Sequence, residues 1–325
     1  MSNILITGTS GFIGSHFAKY FSEQGDTVWG LDQVKCPEHV LPFLKDVRQG
    51  LVGDKELIKN LLKEFKIDLV VHCAAKCLVE ESVKFPQLYL ENNVEQPKRM
   101  LEAMMDSGVH KLIFSSTCAT FGKPREDTLS ESHPQSPINP YGESKLLCEQ
   151  LFKKYSSQGD LALGIFRYFN AAGADPDGKL GEDHQPETHL IPNALRAALG
   201  TNPAFKIYGN TFETRDGTCE RDYIHVKDLA SAHIQLAQRM IKHGHQGGEF
   251  NLGLGEGYTV LEVLDGIEQI LQRKIPREFA APRPGDPARL VANASKAKRE
   301  LNWIPTHSDL KTIINHAYRW IARSK

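Results

Sequence analysis

The chain of 325 residues is long enough to bury a large core, and this length favours two lobes over one compact domain. Its 39 lysines and arginines nearly balance 40 aspartates and glutamates, and no block of like charge stands out. This balance gives no support to a nucleic-acid or membrane partner, and 40% hydrophobic with 24% charged residues is typical of a soluble globular protein.

The first half of the chain alternates strand and helix signals with short turns between them. Such alternation is typical of an α/β fold with a doubly wound, Rossmann-type parallel sheet. Helices are predicted over residues 57–65, over a single long stretch 86–108, and from Pro140 with Asn139 as its cap. The strands are predicted at N-I-L-I-T-G, T-V-W-G-L-D, I-D-L-V-V-H-C-A-A, H-K-L-I-F-S-S-T and L-A-L-G-I-F-R-Y-F-N.

The texture of the sequence changes after Ala171. The next fifty or so residues are rich in Gly, Pro, Asp and Thr, with one helical segment near 191–199. Later, Thr259 and Glu262 form a capping-box pattern for a helix, and two further helical patterns follow. We therefore predict two domains. The Rossmann-type domain consists of residues 1–172 plus 223–257, and the smaller mixed α/β lobe consists of residues 173–222 plus 258–325.

The N-terminal residues run directly into a strand-like segment, without the pattern of a signal peptide, and no apolar run is long enough to span a bilayer. We therefore expect a cytoplasmic protein whose six cysteines are free thiols. Cys73 and Cys77 have no matching Cys/His pair, and His243 and His245 lie in a Gly-rich stretch that indicates a surface turn. The sequence thus predicts no metal site.

Three glycines lie between the first strand and the first helix, as Gly8, Gly11 and Gly14 of G-T-S-G-F-I-G. Glycine there permits a tight turn and close backbone approach to a pyrophosphate, which the helix N-terminus attracts. Asp32 ends the second strand about twenty residues on, where a carboxylate accepts from an adenosine 2′-hydroxyl and repels a 2′-phosphate. This pattern predicts bound NAD rather than NADP, in preference to a structural turn beside a surface aspartate.

Other candidate cofactor contacts follow later elements. Asp46 and Val47 end an apolar stretch where a carboxylate would accept from the adenine amine, although an ordinary loop aspartate explains them nearly as well. Ala74 and Ala75 end a strand with side chains small enough for a cofactor to lie close. Asn93 lies within a helix and would donate to the cofactor, with a polar surface position as the alternative.

A hydroxyl, a phenol and an ammonium group are predicted to meet at one edge of the sheet. Parallel strands deliver residues to a crevice at their carboxyl ends, so Ser115 and Thr117 of S-S-T should meet Tyr141 and Lys145 of N-P-Y-G-E-S-K. Residues four apart share a helix face. Beside a nicotinamide this set indicates hydride transfer at a carbinol, which must also lose a proton. Because a free tyrosine has a pKa of about 10, a phenolate base needs the nearby positive charges.

These motifs resemble the extended short-chain dehydrogenase/reductase superfamily. Within it, the chain resembles the UDP-glucose 4-epimerase family over almost its full length, most specifically in R-Y-F-N-A-A-G-A-D-P-D-G-K-L-G-E, E-T-H-L-I-P, D-G-T-C-E-R-D-Y-I-H-V and R-P-G-D-P-A. The resemblance implies that Tyr141 is the base, that Lys145 lowers its pKa and binds the cofactor ribose, and that Thr117 hydrogen-bonds O4 of the sugar. It also implies cofactor contacts from Phe12, Ile13, Ser115 and Tyr168.

The resemblance further implies a UDP-sugar site in the second lobe. The guanidinium forks of Arg221 and Arg283 match diphosphate oxygens, and Tyr208 corresponds to an aromatic residue that stacks on uracil. Taken singly, each residue has an ordinary structural explanation, so the prediction depends on the combined pattern. The remaining implied substrate contacts are Asn170, His189, Leu190, Tyr223, Asp286 and Leu290.

Cys118 and Ala119 follow Thr117 where the related nucleotide-sugar 4,6-dehydratases carry an Asp-Glu pair. Neither side chain can perform the elimination that those carboxylates carry, so the 4-keto sugar has one exit, return of the hydride. If the keto sugar rotates first, C4 is inverted and NAD is regenerated in every cycle. The resemblance thus implies interconversion of UDP-glucose and UDP-galactose with tightly bound NAD.

Three positions depart from the family pattern. V-E-E-S at residues 79–82 is expected in a loop that sits differently, and Lys76 lies one place earlier than a cofactor-contacting lysine. Leu290 is intermediate between the tyrosine of glucose/galactose-restricted members and the small residue of those that admit N-acetylated sugars. UDP-N-acetylglucosamine and UDP-xylose/arabinose therefore stay open as substrates.

Two alternatives of other classes also stay open. One is a net NAD-dependent dehydrogenase or reductase with an exchangeable cofactor, and the other is a non-catalytic NAD sensor. The joint presence of a base, its lysine and a threonine argues against the sensor, because a sensor needs no base. A homodimer is expected from the family alone.

Overall fold

The computed structural model describes residues 1–202, 204–283 and 286–323. Two residues of R-P-G-D-P-A, Pro284 and Gly285, and the last two residues of the predicted second lobe lie outside these ranges. The strands are β1 (Asn3–Thr7), β2 (Thr27–Asp32), β3 (Asp46–Gln49), β4 (Leu69–His72), β5 (Lys111–Thr117), β6 (Ala162–Tyr168), β7 (Asn170–Ala172), β8 (Phe205–Tyr208), β9 (Glu220–Arg221), β10 (Tyr223–His225), β11 (Gly247–Leu252), β12 (Tyr258–Thr259), β13 (Arg277–Ala280) and β14 (Arg289–Leu290). The α-helices are α1 (Phe12–Glu23), α2 (Lys55–Glu64), α3 (Val79–Lys84), α4 (Pro86–Leu90), α5 (Gln96–Asp106), α6 (Pro140–Ser157), α7 (Leu190–Ala198), α8 (Val226–Lys242), α9 (Val260–Leu271), α10 (Ser295–Leu301) and α11 (Leu310–Arg323).

Seven of the described strands form one parallel sheet in the order β11-β6-β5-β4-β1-β2-β3. After β1 the chain adds β2 and β3 on one side of β1, and it then crosses to form β4 on the other side of β1. The strand order therefore reverses between β1 and β4. Ligands of such sheets bind in the crevice at this reversal, beyond the carboxyl ends of the strands. The predicted α/β, doubly wound fold class is confirmed.

Helices cover both faces of the sheet, and alternate residues of each strand enter opposite cores. In β1, Ile4 and Ile6 belong to the core beneath α1 and α8, whereas Leu5 belongs to the core beneath α2 and α5, and all three are fully buried. Burial on both faces explains why the strands read as continuous apolar runs instead of alternating polar and apolar residues.

The smaller lobe has an apolar core of its own, in which α7, α9 and α11 pack together. Beside it lie the parallel pair of β8 with β13 and the short sheet of β12, β9 and β14. Helix α10 instead packs against α8 and β11 of the large sheet, where Trp303 is buried. The division into two domains stays a prediction. Helix α10 packs outside its predicted lobe, and so does Leu180, which clusters with Cys36 and Val40.

Two predicted segments differ from the structure. Residues 79–82 are not a loop: they begin α3, whose Glu80 and Glu81 lie in the first turn, where the helix dipole favours acidic side chains. The long helix predicted over residues 86–108 is divided by a π-helical turn, Glu91–Glu95, which directs Asn93 inward.

Two predicted helix starts are confirmed. Asn139 accepts from the Gly142 amide at 2.9 Å at the start of α6, and Thr259 with Glu262 forms a complete capping box on α9. Of the described helices, none combines the length and the apolar character that a bilayer crossing requires.

Candidate active site

The turn between β1 and α1 is shaped for close backbone contact. Gly8 has a φ of +78°, and a Cβ there would lie 2.7 Å from the Ala74 amide nitrogen. A Cβ on Gly14 would lie 2.1 Å from the Gly8 carbonyl oxygen, whereas one on Gly11 would lie 3.4 Å from that oxygen. The turn therefore needs glycine at two positions for its own packing, and Gly11 at the N-terminus of α1 stays open to a ligand.

We expect Gly14→Ala to lower the free energy of unfolding by about 1–3 kcal/mol, because its methyl group has to displace backbone. Gly11→Ala should cost less than about 1 kcal/mol, since Gly11 has an extended backbone and room for the methyl group. Urea unfolding of the two cofactor-free variants measures the difference. Equal losses of stability would contradict this reading of the turn.

A cleft of about 780 Å³ opens beside this turn, at the carboxyl edge of the sheet. It is lined by residues of both lobes. The predicted site residues among its described lining are Gly8, Gly11, Phe12, Ile13, Gly14, Ala75, Ser115, Thr117, Tyr141, Lys145, Tyr168, Asn170, His189, Arg221, Arg283, Asp286 and Leu290. The predicted residues outside that lining are Asp32, Asp46, Val47, Ala74, Asn93, Leu190, Tyr208 and Tyr223.

The catalytic candidates meet where β5 ends and α6 begins. Lys145 is buried, and its Nζ donates to the Ser115 carbonyl at 2.8 Å and lies 4.7 Å from the centre of the Phe114 ring. Burial lowers the pKa of Lys145. The strand end and the helix are thereby fixed to one another through the ammonium group.

The phenol of Tyr141 lies at the cleft beside the Thr117 hydroxyl. Burial raises the pKa of Tyr141 well above its ordinary value, while hydrogen bonding with the Thr117 hydroxyl acts in the opposite direction. The predicted phenolate thus requires additional positive charge beside the phenol. An oxidised nicotinamide in the cleft would supply that charge.

Tyr168 and Ser115 form a buried hydrogen-bonded pair in the wall of the cleft. The Tyr168 hydroxyl donates to the Ser115 hydroxyl at 2.8 Å and lies 2.6 Å from Nε2 of His233. Burial raises the pKa of Tyr168 well above its usual range, so it acts as a neutral hydrogen-bonding group. These contacts hold the end of β5 in place, and a cofactor contact by either residue stays a prediction.

The carboxylate of Asp32 lies at the end of β2, next to the glycine turn. It accepts from the Ser10 amide at 2.9 Å and from the Val34 amide at 3.2 Å. Asp46, at the start of β3, is half-exposed and accepts from the amide of Val47 at 2.8 Å. Asp32 ends β2 whereas Asp46 begins β3, so in this parallel pair the two carboxylates do not share an edge of the sheet. Their contacts with an adenosine stay predictions.

Asn93 makes its observed contacts within the protein. Its side chain accepts from the Lys76 amide and donates to the Lys76 carbonyl, both at 2.9 Å, and it donates to the Ser144 hydroxyl at 3.0 Å. Both amide hydrogens are therefore used, and Asn93 joins the segment after β4 to α6. A direct bond to the cofactor stays a prediction that requires one of these contacts to break.

Two arginines, Arg221 and Arg283, also line the cleft. Arg221 contacts Asp286 at 3.2 Å, and the Arg283 guanidinium lies 4.1 Å from the centre of the Tyr208 ring. Tyr223 is buried in the core of the smaller lobe. The arrangement suits a diphosphate that enters between the arginines.

Two other predicted residues, Leu190 and Leu290, pack against apolar clusters. Leu190 is the first residue of α7 and packs against the core of the smaller lobe. Leu290 packs against a small cluster that contains Cys118 and Phe169. Leu290 therefore lies beside the residue that follows Thr117, which is consistent with a position in the wall of a sugar pocket.

Several cleft residues were missed by the sequence reasoning. Glu182 and His184 line the cleft together with the predicted His189, and so do Val79 and Glu80 of α3. The Glu182 carboxylate lies 2.5 Å from the His189 imidazole. Burial lowers the pKa of His189, but the charge and hydrogen bond of the Glu182 carboxylate have the larger combined effect. They hold the pKa of His189 well above its ordinary value. The alternation of acids and histidines in E-D-H-Q-P-E-T-H was the available signal.

A Rossmann-type sheet with a glycine turn, together with a half-buried tyrosine and a buried lysine at the sheet's carboxyl edge, defines a dinucleotide-dependent enzyme of the short-chain type. The sequence profile of the NAD dependent epimerase/dehydratase family matches residues 4–253. The chain belongs to this family.

Similar proteins extend the match over the whole chain. The UDP-glucose 4-epimerase of Halalkalibacterium halodurans is 44% identical, with 98% of this chain and 95% of the relative covered. The structure of UDP-glucose 4-epimerase from Brucella ovis in complex with NAD is 39% identical, with a TM-score of 0.94 and 98% of each chain covered. A Stenotrophomonas maltophila UDP-glucose-4-epimerase with bound NAD and formylated UDP-arabinopyranose is 33% identical, with a TM-score of 0.95 and full coverage of both chains.

Proposed function

We propose that this protein is an NAD-retaining UDP-hexose 4-epimerase that interconverts UDP-glucose and UDP-galactose. The observation that carries the proposal is the convergence of Thr117, Tyr141 and Lys145 on one cleft, with Cys118 and Ala119 beside them in place of carboxylates. The full-length likeness to UDP-glucose 4-epimerases supports the same activity.

The residues present fit NAD. Gly8 and Gly14 have no room for a Cβ, so backbone alone forms the turn at the N-terminus of α1, and that terminus favours a pyrophosphate. Asp32 at the end of β2 is placed to accept from the adenosine ribose. When bound, NAD would supply the acceptor for the C4 hydride and the donor for its return.

The chain's own residues manage the proton of the C4 hydroxyl. Tyr141 accepts it as the C4 hydride leaves, and Thr117 hydrogen-bonds O4 and orients it towards the phenol. Lys145 adds positive charge beneath the site and is fixed by the Ser115 carbonyl. On the return of hydride, Tyr141 gives the proton back, so the protein ends each cycle unchanged.

Inversion requires that the hexose turn while the nucleotide stays in place. Arg221 and Arg283, which line the cleft, provide two cations for the diphosphate. Contacts between guanidinium and phosphate groups are among the stronger polar contacts. A diphosphate held there leaves the sugar free to present either face. Without a carboxylate at positions 118 and 119, the keto sugar has no elimination route through these residues.

The decisive experiment incubates purified protein with UDP-galactose, and separately with UDP-N-acetylgalactosamine, without added NAD. We expect epimerised UDP-glucose to form, because the retained cofactor is regenerated. Turnover that appears only as stoichiometric reduction of added NAD would instead establish a net dehydrogenase. Cofactor binding without any turnover would establish a sensor.

The size of residue 290 should set which sugars enter. We expect Leu290→Tyr to lower kcat/KM for UDP-N-acetylgalactosamine at least about tenfold relative to UDP-galactose, because the larger ring fills the pocket wall. Leu290→Ala should shift the same ratio the other way. Chromatographic rates for both sugars measure it, and an unchanged ratio in both variants would exclude Leu290 as the sugar wall.

A homodimer and a cytoplasmic location are further parts of the proposal. Val83 of α3, Leu88 of α4 and Phe85 between the two helices are exposed. These helices pack beside α6, which carries the exposed Leu147. An apolar surface of this kind suits contact with a second copy. The six cysteines are free, which suits a reducing compartment.

A further inference from the structure

The segment before α7 brings together four side chains with metal-binding atoms. Glu182, His184, Glu187 and His189 each offer one oxygen or nitrogen, and these atoms all lie within 4.8 Å of one another. The two histidines share Nδ1 as the inward atom. The cluster forms part of the cleft wall but takes no part in the proton transfer proposed above.

The distances within the cluster match a four-ligand cage. Nδ1 of His184 lies 3.1 Å from Glu182 and 4.0 Å from Glu187, and Nδ1 of His189 lies 2.5 Å and 3.2 Å from the same two carboxylates. Ligand atoms about 2.0–2.1 Å from a tetrahedral zinc ion lie roughly 3.3 Å from one another. The observed separations are spread around that value.

Glu187 gives an independent indication of a cation site. Its side chain is only 2% exposed, and its Oε1 accepts from the amides of Thr188 and His189. Its Oε2 is buried and has no hydrogen-bond partner among the described residues. A buried carboxylate oxygen without a partner is costly. The distances to the histidines are those of Oε1, so a cation coordinated by both Glu187 oxygens would satisfy Oε2.

We propose that Glu182, His184, Glu187 and His189 bind one divalent transition-metal ion of the zinc class. Two imidazole nitrogens favour zinc and its neighbours over magnesium or calcium, which prefer all-oxygen sites. Four protein ligands are typical of a structural site, whereas catalytic zinc keeps an open position. The exposed fractions of His184 and His189, 34% and 44%, leave a path for the ion to enter.

The ion would stabilise one wall of the cleft. His189 is the residue before α7, and Glu182 is tied to the C-terminal helix because Trp320 Nε1 donates to its carbonyl at 3.1 Å. Joining these positions through a metal would fix the segment between them, which faces the cleft between the two lobes. The proposal concerns binding and local order, and it stands whether or not the epimerase assignment holds.

The test is metal binding by the chelator-treated protein, with Zn²⁺ alone as the probe in calorimetry and Co²⁺ as the spectroscopic probe. We expect one equivalent of Zn²⁺ per chain and the intense visible absorption of four-coordinate Co²⁺. His184→Asn should weaken Zn²⁺ binding at least about 100-fold, since even the loss of outer partners of a metal site costs about 10–100-fold. His184 is partly exposed, so this variant should fold.

A matched control removes the other pair of nearby histidines. The double change His243→Asn/His245→Asn lies far along the chain, on a surface turn after α8, and should leave Zn²⁺ binding unchanged. Wild-type protein that binds no more Zn²⁺ than His184→Asn would overturn the proposal and leave the cluster as a set of ion pairs. Binding that survives His184→Asn but is lost in Cys77→Ser would overturn it as well, because a thiolate would then be the ligand.

Discussion

Tyr141→Phe should lower kcat/KM for UDP-galactose by about 10²–10⁴-fold, the usual contribution of a positioned acid–base group. The variant keeps the ring, which packs edge-on to Tyr89 at 6.4 Å, and removes only the hydroxyl that takes the C4 proton. The cofactor content and the thermal midpoint should therefore stay close to the wild type. Initial rates with purified holoenzyme measure the loss.

The pH profile separates a base from a structural phenol. A base acts in its deprotonated form, so wild-type activity should rise with pH through the pKa of Tyr141 in the holoenzyme, and the variant should lack this limb. Tyr155→Phe, on the same helix but in the core beneath α2 and α5, is the matched control and should retain activity. Full activity of Tyr141→Phe would remove Tyr141 from the mechanism.

Arg167→Met should lower the free energy of unfolding by about 3–5 kcal/mol, because it leaves a buried carboxylate without its partner. Arg167 is fully buried in β6, and its Nε and one terminal nitrogen bind the equally buried Glu149 at 2.9 and 2.6 Å. The same nitrogen contacts Glu249 of β11. Chemical denaturation of the variant and the wild type measures the loss.

The control is the same substitution at an exposed ion pair. Arg299 is 68% exposed and contacts Glu300 at 2.9 Å, so Arg299→Met should change stability by less than about 1 kcal/mol. Adding Glu149→Gln to Arg167→Met should restore part of the lost stability, since it removes the uncompensated charge. Equal losses of unfolding free energy in Arg167→Met and Arg299→Met would show that burial does not decide how much an ion pair contributes to stability.

The Arg167 network connects stability with the site. Glu149 also accepts from the hydroxyl of Ser116, the neighbour of Thr117 on β5, and Glu149 lies one turn after Lys145 on α6. The network thus joins the strand that carries the threonine to the helix that carries the tyrosine and lysine. R-Y-F-N was noticed in the sequence, but its arginine received no role.

Local chemistry explains what could be predicted. The glycine turn is predictable because a required absence of Cβ is written in the sequence. The caps at Asn139 and Thr259 are predictable because their partners lie three residues away. The parallel sheet follows from the β/α alternation, and the catalytic pair follows from helix periodicity with the strand end before it.

Contacts between distant segments explain part of what was missed. The π-helical turn Glu91–Glu95 serves Asn93, whose partners are Lys76 and Ser144, so local helix periodicity could not reveal it. The family pattern predicts a loop at V-E-E-S. The local signal for helix α3 is the pair of acidic residues in its first turn. Glu182 was missed because its partners His184 and His189 become significant only when the segment folds back on itself.

The sequence by itself determined the fold class, the dinucleotide turn and the identity of the candidate base, because each depends on residues within one or two turns of chain. Only the tertiary structure decided which groups are paired, buried or left without a partner. It showed that burial raises the pKa of Tyr141 and that one buried Glu187 oxygen has no hydrogen-bond partner among the described residues. Both depend on burial, and burial is set by all the segments that surround a group.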